Sequence, residues 1–148
     1  MGASVSINNN LHNIIYISYD SSNKDNIYIK KLSDELEKNN FNIVKTSNEL
    51  ILNNLDEYVE NINKIINSSL YILVCVTNNS LKSFIQTIEL NSILESNKKI
   101  IFIMTDKNYT PLSNKLMHHL VKKNKWYSLY DDETFDENLN NIKNDIFN

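Results

Sequence analysis

The chain has 148 residues, enough for one domain with its own hydrophobic core but too few for two. Its 15 basic residues are all lysine, and they stand against 18 acidic residues without forming a basic stripe. This distribution disfavours a nucleic-acid partner. Because arginine is absent, bidentate guanidinium recognition of a phosphate or carboxylate is also excluded.

The N-terminal segment and the single cysteine bear on location and redox chemistry. Nothing near the N-terminus resembles a signal peptide, and the longest apolar run is too short to cross a bilayer, so we expect a cytoplasmic protein. Residues 1–11 are expected to form a flexible leader. Within it, Gly2 begins a short N-myristoylation pattern, and an acylated Gly2 would give reversible membrane attachment. Cys75 lies inside an apolar run, which predicts a buried, inert thiol and excludes disulfides and zinc clusters.

Strand and helix patterns alternate along the first half of the chain. Residues 14–19 form a β-branched and aromatic run before a polar turn, which predicts a buried first strand. Apolar residues at helical spacing predict a helix over 25–39, and residues 41–44 are predicted to form a short second strand. Residues 45–54 have no clear period and are predicted to be a long loop. A second amphipathic helix is expected over 55–67.

The second half continues this alternation around a central strand. The run 70–76 is apolar throughout, as expected of a strand covered on both faces. Two further strands are predicted at 100–104 and 126–130, each preceded and followed by a helix. Alternating helices and five strands predict an α/β fold, a flavodoxin-like three-layer sandwich with a five-stranded parallel sheet in the order 2-1-3-4-5 and helices on both faces. Ligands bind such sheets where the order reverses, so Tyr19 and Asp20 should border a crevice with the segment after Val76.

A carboxylate lies on the helix that follows the central strand. Ser83 and Gln86 have the spacing of a capping box, which predicts that this helix begins at Phe84. Ile85 and Glu89 are four residues apart and should share one helical face near the crevice. A carboxylate at that position is able to order ribose hydroxyls or stabilise an oxocarbenium ion. Spacing alone, however, favours a solvated surface glutamate.

Other polar and aromatic residues give weaker signals. His118 and His119 are adjacent on a predicted helix and point about 100° apart, so they cannot share a metal as an i, i+4 pair can. We expect them to be surface or satisfied core residues, and we expect no metal site. The acidic run 131–133 is interpreted as a solvated turn. Tyrosines are assigned to core or boundary packing at four positions, Tyr16, Tyr58, Tyr71 and Tyr127.

Two longer motifs resemble the signature boxes of Toll/interleukin-1 receptor (TIR) domains. Residues 16–20 read Tyr-Ile-Ser-Tyr-Asp, which is similar to the first box, usually written F-I-S-Y and followed closely by an acidic residue. Residues 69–90 align without gaps to the segment in which an apolar strand leads to S/T-x-N-x-L and then to S-x-W-x-x-x-E-L. Trp126 resembles the third box. The similarity spans residues 12–147, so we assign residues 12–148 to one TIR domain.

The resemblance implies a reaction and a site. In TIR domains that cleave NAD, the glutamate of the second motif is the catalytic residue, and that position is Glu89. NAD would be the substrate, no metal or added cofactor would take part, and nicotinamide would leave to give ADP-ribose or a cyclic ADP-ribose isomer. The loop after the second strand would cover the substrate, and Lys24 or Lys45 would meet its pyrophosphate. The residues implied to bind NAD are Tyr19, Asp20, Thr46, Ser83 and Ile85.

One departure from the family pattern leaves two functions open. Ile85 stands where the motif has a tryptophan, so an aromatic surface for the nicotinamide or adenine ring would have to come from Tyr19 or Phe84. The first function is an NAD nucleosidase in immune or cell-death signalling, with Glu89 as its catalytic carboxylate and self-association completing the pocket. The second is a non-catalytic TIR–TIR interaction module, either an adaptor that binds other TIR proteins or a pathogen-encoded decoy.

Overall fold

Strands and helices alternate along the chain. The computed structural model describes residues 13–20, 23–46, 54–108 and 115–147. The strands are β1 (Ile14–Ser18), β2 (Asn42–Lys45), β3 (Ser69–Val76), β4 (Ile100–Met104) and β5 (Lys125–Ser128). The helices are α1 (Ile27–Lys38), α2 (Leu55–Ser68), α3 (Phe84–Glu95), α4 (Lys115–Lys123) and α5 (Asp132–Phe147), and a short 3-10 turn, Ser80–Lys82, precedes α3.

All five strands are parallel and lie in the order β2-β1-β3-β4-β5, which confirms the predicted flavodoxin-like fold. Each strand feeds a helix that crosses over the sheet before the next strand begins. The order reverses direction between β1 and β3, so the chain leaves these two neighbouring strands toward opposite sides. The crevice between their carboxyl ends is where α/β sheets of this kind bind ligands.

The two faces of the sheet bury separate hydrophobic clusters. Successive residues of a strand point to opposite faces, so β3 contributes Leu73 and Cys75 to one cluster and Ile72 and Val74 to the other. Helices α1 and α5 cover the first face, and α2, α3 and α4 cover the second. The central strand is therefore covered on both sides, as its continuous apolar sequence predicts.

Asparagine supplies much of the local geometry in this glycine-poor chain. Asn26 caps α1 by accepting hydrogen bonds from the backbone N–H groups of Tyr28 and Ile29, so α1 begins two residues later than predicted. Asn54 caps α2 in the same way. A positive φ occurs at Asn13, Asn40 and Asn97, with φ of 65°, 67° and 58°. Asparagine tolerates this left-handed region better than other non-glycine residues.

The structure adjusts several predicted boundaries. Lys45 belongs to β2, and Asn54 is the cap of α2, so the predicted 45–54 loop is shorter at both ends. Residues 47–53 lie outside the described residues, as do residues 1–12 with Gly2 and its myristoylation pattern. Strand β5 begins one residue early and stops at Ser128, which pairs with the last residue of β4. Within the described ranges, every helix is too short or too polar to span a bilayer.

Two aromatic residues paired across β4 and β5 test the packing of this fold. Phe102 is fully buried, whereas its register partner Trp126 is 50% exposed. We expect Phe102→Ala to lower the free energy of unfolding by about 3–5 kcal/mol, because it leaves a cavity in the cluster that α2, α3 and α4 cover. Urea unfolding monitored by circular dichroism measures this. The control Trp126→Ala should cost only about 1 kcal/mol, and equal losses would contradict the buried position of Phe102.

Candidate active site

Glu89 lies in the interior of the protein. It is on α3, which covers the same face of the sheet as α2, and its side chain is 0% exposed. The carboxylate reaches down to β1, where it accepts a hydrogen bond from Tyr16. The interpretation of Glu89 as a solvated surface glutamate is therefore wrong. A buried carboxylate needs hydrogen-bond donors or a cation, because transfer of an unpaired charge out of water is very costly.

Four hydroxyl groups meet the carboxylate of Glu89. The phenol groups of Tyr16 and Tyr58 each donate to Oε2 at 2.6 Å. The hydroxyls of Ser18 and Thr46 each donate to Oε1 at 2.7 Å. A carboxylate offers about two acceptor sites on each oxygen, so these bonds fill its capacity. We call this set of donors the hydroxyl cage.

The elements of the fold bring the cage together from distant parts of the sequence. Tyr16 and Ser18 are two residues apart on β1, so both point to the face covered by α2 and α3. Thr46 follows the edge strand β2 directly. Tyr58 belongs to the buried stripe of α2. Glu89 therefore joins four elements of the domain, namely β1, the end of β2, α2 and α3.

The charge of Glu89 is held by hydrogen bonds alone among the described residues. None of the ion pairs in the described part of the chain includes it. Burial raises the pKa of Glu89 above its ordinary value, and hydrogen bonds from the cage oppose that rise. Burial also raises the pKa of Tyr16 and Tyr58, so both phenols stay protonated donors. When Glu89 is ionised, its negative charge is therefore neutralised by no cation among the described residues.

Tyr19 and Asp20 lie next to the cage, at the carboxyl end of β1. The backbone N–H of Tyr19 donates to Thr46 Oγ1 at 3.0 Å, so Thr46 connects the chain after β1 to Glu89. Asp20 is 2% exposed and accepts a hydrogen bond from Thr77 Oγ1 at 2.7 Å. Tyr19, Asp20 and the segment after Val76 are thus brought together, as the sheet order predicts.

The start of α3 confirms one half of the predicted capping box. Ser83 Oγ accepts from the backbone N–H of Gln86 at 3.2 Å, so α3 begins at Phe84 as predicted. The Gln86 side chain, however, does not complete the box. It turns inward and donates from Nε2 to the backbone carbonyl of Cys75 at 2.9 Å. This bond fixes the N-terminus of α3 against the end of β3.

Ile85, at the tryptophan position of the motif, and its neighbour Phe84 differ in exposure. Ile85 is half-buried and packs against the cluster formed by α2, α3 and β3. Phe84 is 64% exposed. Tyr19 is mostly buried, so of the two aromatic residues considered as substitutes, Phe84 has the accessible ring. Ser83 stays half-buried at the helix cap.

The remaining polar candidates are dispersed. Lys24 is exposed and Lys45 is half-buried on β2, while His118 is half-buried and His119 exposed on α4. Within the described ranges, no group of three or more His, Cys, Asp or Glu residues is placed to hold a metal ion. Cys75 is fully buried, and burial raises the pKa of its thiol, which confirms the inert cysteine.

Of the four donors that surround Glu89, sequence reasoning named only Thr46 as a site residue and missed the other three. Tyr16 and Tyr58 were expected to be core packing, and both are buried, but their hydroxyls serve the carboxylate. The signal was present at position 16, where the family box has phenylalanine. A buried phenol requires a hydrogen-bond partner that phenylalanine does not, so Tyr16 pointed to a polar group inside the core.

Comparison with known proteins decides the family. The family model described as "TIR domain" matches residues 15–142, most of the chain. The chain belongs to the TIR domain family. No curated protein matches this TIR domain significantly.

Solved structures of TIR domains share its fold. One is the TIR domain of the Toll-related receptor TRR-2 from Hydra magnipapillata, with a TM-score of 0.67 and 18% identity over 90% of this chain and 98% of that one. Another is the heterodimer of the RPS4 and RRS1 TIR domains, with a TM-score of 0.64 and 12% identity over 90% of this chain and 95% of that one. At such low identity these similarities show the fold alone.

The raised pKa of Glu89 predicts how the stability of the TIR domain depends on pH. A carboxyl group whose folded pKa is raised contributes stability that is present below its unfolded pKa and lost as pH rises through the folded value. Wild type should therefore lose stability relative to Glu89→Gln as pH rises above about 4.3, the pKa of an unfolded glutamate, and through the higher folded pKa. Urea unfolding of both proteins at several pH values measures the difference.

The matched control is Glu95→Gln, which removes the same charge at the exposed end of α3. If wild type instead gained stability relative to Glu89→Gln as pH rises, the raised pKa of Glu89 would be contradicted. That result would mean that the hydroxyl cage outweighs burial and lowers the pKa of Glu89.

Proposed function

We propose that this TIR domain cleaves the nicotinamide–ribose bond of NAD, with Glu89 as the catalytic carboxylate. The observation that carries the proposal is a buried anion that accepts hydrogen bonds from hydroxyl groups and has no cation beside it among the described residues.

The hydroxyl cage supports binding of a ribose. A ribose presents two neighbouring hydroxyl groups, which are the same kind of donor as Ser18 and Thr46. Substrate hydroxyls could replace these donors on Oε1 while Tyr16 and Tyr58 keep Oε2 in place. Such an exchange conserves the number of hydrogen bonds to the carboxylate, so the charge is never left unsatisfied.

The burial of Glu89 sets a condition on this exchange. The side chain is 0% exposed, so a substrate reaches Oε1 only if a donor moves aside. Thr46 is the suitable donor, because it follows an edge strand with a single neighbour, β1. Its displacement would also free the backbone N–H of Tyr19. We therefore assign Thr46 as the point at which the ribose enters the cage.

The uncompensated charge of Glu89 supports the bond-breaking step. When the C–N bond breaks, nicotinamide leaves with the electron pair and positive charge develops on the ribosyl group. A carboxylate held in a low-dielectric site stabilises that charge more strongly than water does. Attack by water then gives ADP-ribose and releases a proton, and attack by a nitrogen of the adenine ring gives a cyclic isomer. The exposed ring of Phe84 supplies an aromatic surface at the start of the same helix.

Turnover of NAD tests the proposal directly. We expect concentrated protein to release nicotinamide from NAD, and Glu89→Gln to lower the rate by at least about 100-fold, because the amide no longer offers a negative charge. Chromatography of the reaction mixture measures nicotinamide. Glu95→Gln is the matched control and should keep the rate of wild type. Equal rates in wild type and Glu89→Gln would rule out the role of Glu89, and no release by any form would rule out the reaction.

A second function, a non-catalytic TIR–TIR interaction module, is favoured by a different observation. Phe84 is 64% exposed at the start of α3, although large aromatic side chains are usually buried in monomers or at interfaces. The hydroxyl cage would then serve stability alone, by joining α2 and α3 to the sheet. The similarity to a structure described as a TIR domain heterodimer agrees with this function.

Self-association of purified protein tests the module. We expect Phe84→Ser to weaken any dimer at least about tenfold, since aromatic anchors at the centre of an interface dominate binding. Sedimentation velocity over a range of concentrations measures the dissociation constant. Ile27→Ser is the matched control, because Ile27 is 57% exposed on α1, across the sheet from α3. A protein that stays monomeric, or equal effects of the two substitutions, would contradict the module at this surface.

A further inference from the structure

A second concave site lies at the opposite end of the sheet from Glu89. It is a pocket of about 480 Å³ at the amino ends of β3, β4 and β5, within the range of small-molecule sites. Its walls include Tyr71, Lys99, Lys123, Lys125 and Asp145. The five-residue strand β4 alone separates this end from the carboxyl end of the sheet by roughly 15 Å. The pocket is therefore distinct from the hydroxyl cage.

The single carboxylate of the pocket is already engaged. Asp145 accepts hydrogen bonds from Lys125 Nζ at 2.7 Å and from the phenol of Tyr127. Burial opposes the ionisation of Asp145, but these bonds hold its pKa below the ordinary value. The Tyr71 phenol donates to the backbone carbonyl of Asp145 at 2.7 Å. Asp145 thus fixes the end of α5 against β3 and β5, and Lys125 neutralises it.

Two ammonium groups of the pocket are left for a ligand. Lys99 and Lys123 take part in none of the ion pairs of the described ranges. Lys99 Nζ lies over the ring of Tyr71, 5.7 Å from its centroid, so this side chain leans across the pocket wall. With Lys125 and Asp145 cancelling each other, Lys99 and Lys123 give the pocket an excess of positive charge.

We propose that this pocket binds the phosphate group of a small anionic ligand through Lys99 and Lys123. Lysine binds phosphate as a point charge, and the chain has no arginine that would favour planar carboxylates through a bidentate contact. A phosphate dianion matches the two unpaired ammonium groups in charge. The group belongs either to a soluble phosphate compound or to a phosphorylated lipid headgroup. This site does not depend on the proposed NAD reaction.

An NMR titration with inorganic pyrophosphate tests the pocket. We expect saturable shifts of the backbone amides of Lys99, Asn124 and Lys125 that weaken as sodium chloride is added. The double substitution of Lys99→Gln with Lys123→Gln should weaken binding at least about tenfold. Lys125 is left unchanged, because its bond to Asp145 joins β5 to α5. Glu89→Gln should bind pyrophosphate as wild type does.

The control protein carries Lys30→Gln with Lys64→Gln, which removes the same charge from exposed positions on α1 and α2. Equal weakening by the two double substitutions, or shifts that never saturate, would overturn the proposal. Sedimentation with phosphatidylcholine vesicles that contain phosphatidylinositol 4-phosphate separates the two sources. Lysine-dependent sedimentation supports a lipid headgroup, and pyrophosphate binding without sedimentation supports a soluble ligand.

Discussion

The hydrogen bonds between Glu89 and its four hydroxyl donors are the interaction on which the layer formed by α2 and α3 depends. Removing a carboxylate from water costs several kcal/mol even after the protein relaxes. Each hydrogen bond to a charged group returns about 1.5–3 kcal/mol. The site is therefore stable only when the donors act as a set, which holds β1, the end of β2 and α2 in one arrangement around α3.

The same interaction connects structure to the proposed chemistry. A site that fills every acceptor position of a carboxylate with hydroxyl groups is already suited to the hydroxyls of a sugar. Tyr16 and Tyr58 hold one oxygen, so the carboxylate keeps its orientation while the other oxygen exchanges partners. The donors on that second oxygen include Thr46, at the edge of the sheet. In this account stability and catalysis depend on one buried charge.

Much of the fold could be predicted from the sequence, and the reason is visible in particular elements. The run 70–76 is apolar without interruption, which is typical of a strand covered on both faces. The start of α3 followed from Ser83. The end of a strand was harder to predict where pairing with the neighbouring strand sets it. Strand β5 ends at Ser128, opposite the last residue of β4, although its hydrophobic pattern continues to Tyr130.

The candidate site was predicted less completely, because its partners are distant in sequence. Glu89 and Tyr16 are 73 residues apart, and no local pattern shows that a phenol on β1 meets a carboxylate on α3. Spacing alone favoured a surface position for Glu89, and the family motif identified the residue without its surroundings. The inward orientation of the Gln86 side chain could not be predicted either. A glutamine at this position is compatible both with a capping box and with the observed hydrogen bond to the Cys75 carbonyl.

The most direct test of the central claim is the ¹³C NMR signal of the Glu89 carboxyl group, followed as NAD is added to protein labelled at glutamate carboxyl carbons and assigned with Glu89→Gln. If ribose hydroxyls replace Ser18 and Thr46, this signal shifts and saturates with NAD, while the signal of Glu95 on the same helix stays in place. A Glu89 signal that does not move when NAD is saturating, as judged by shifts elsewhere in the protein, would contradict the account.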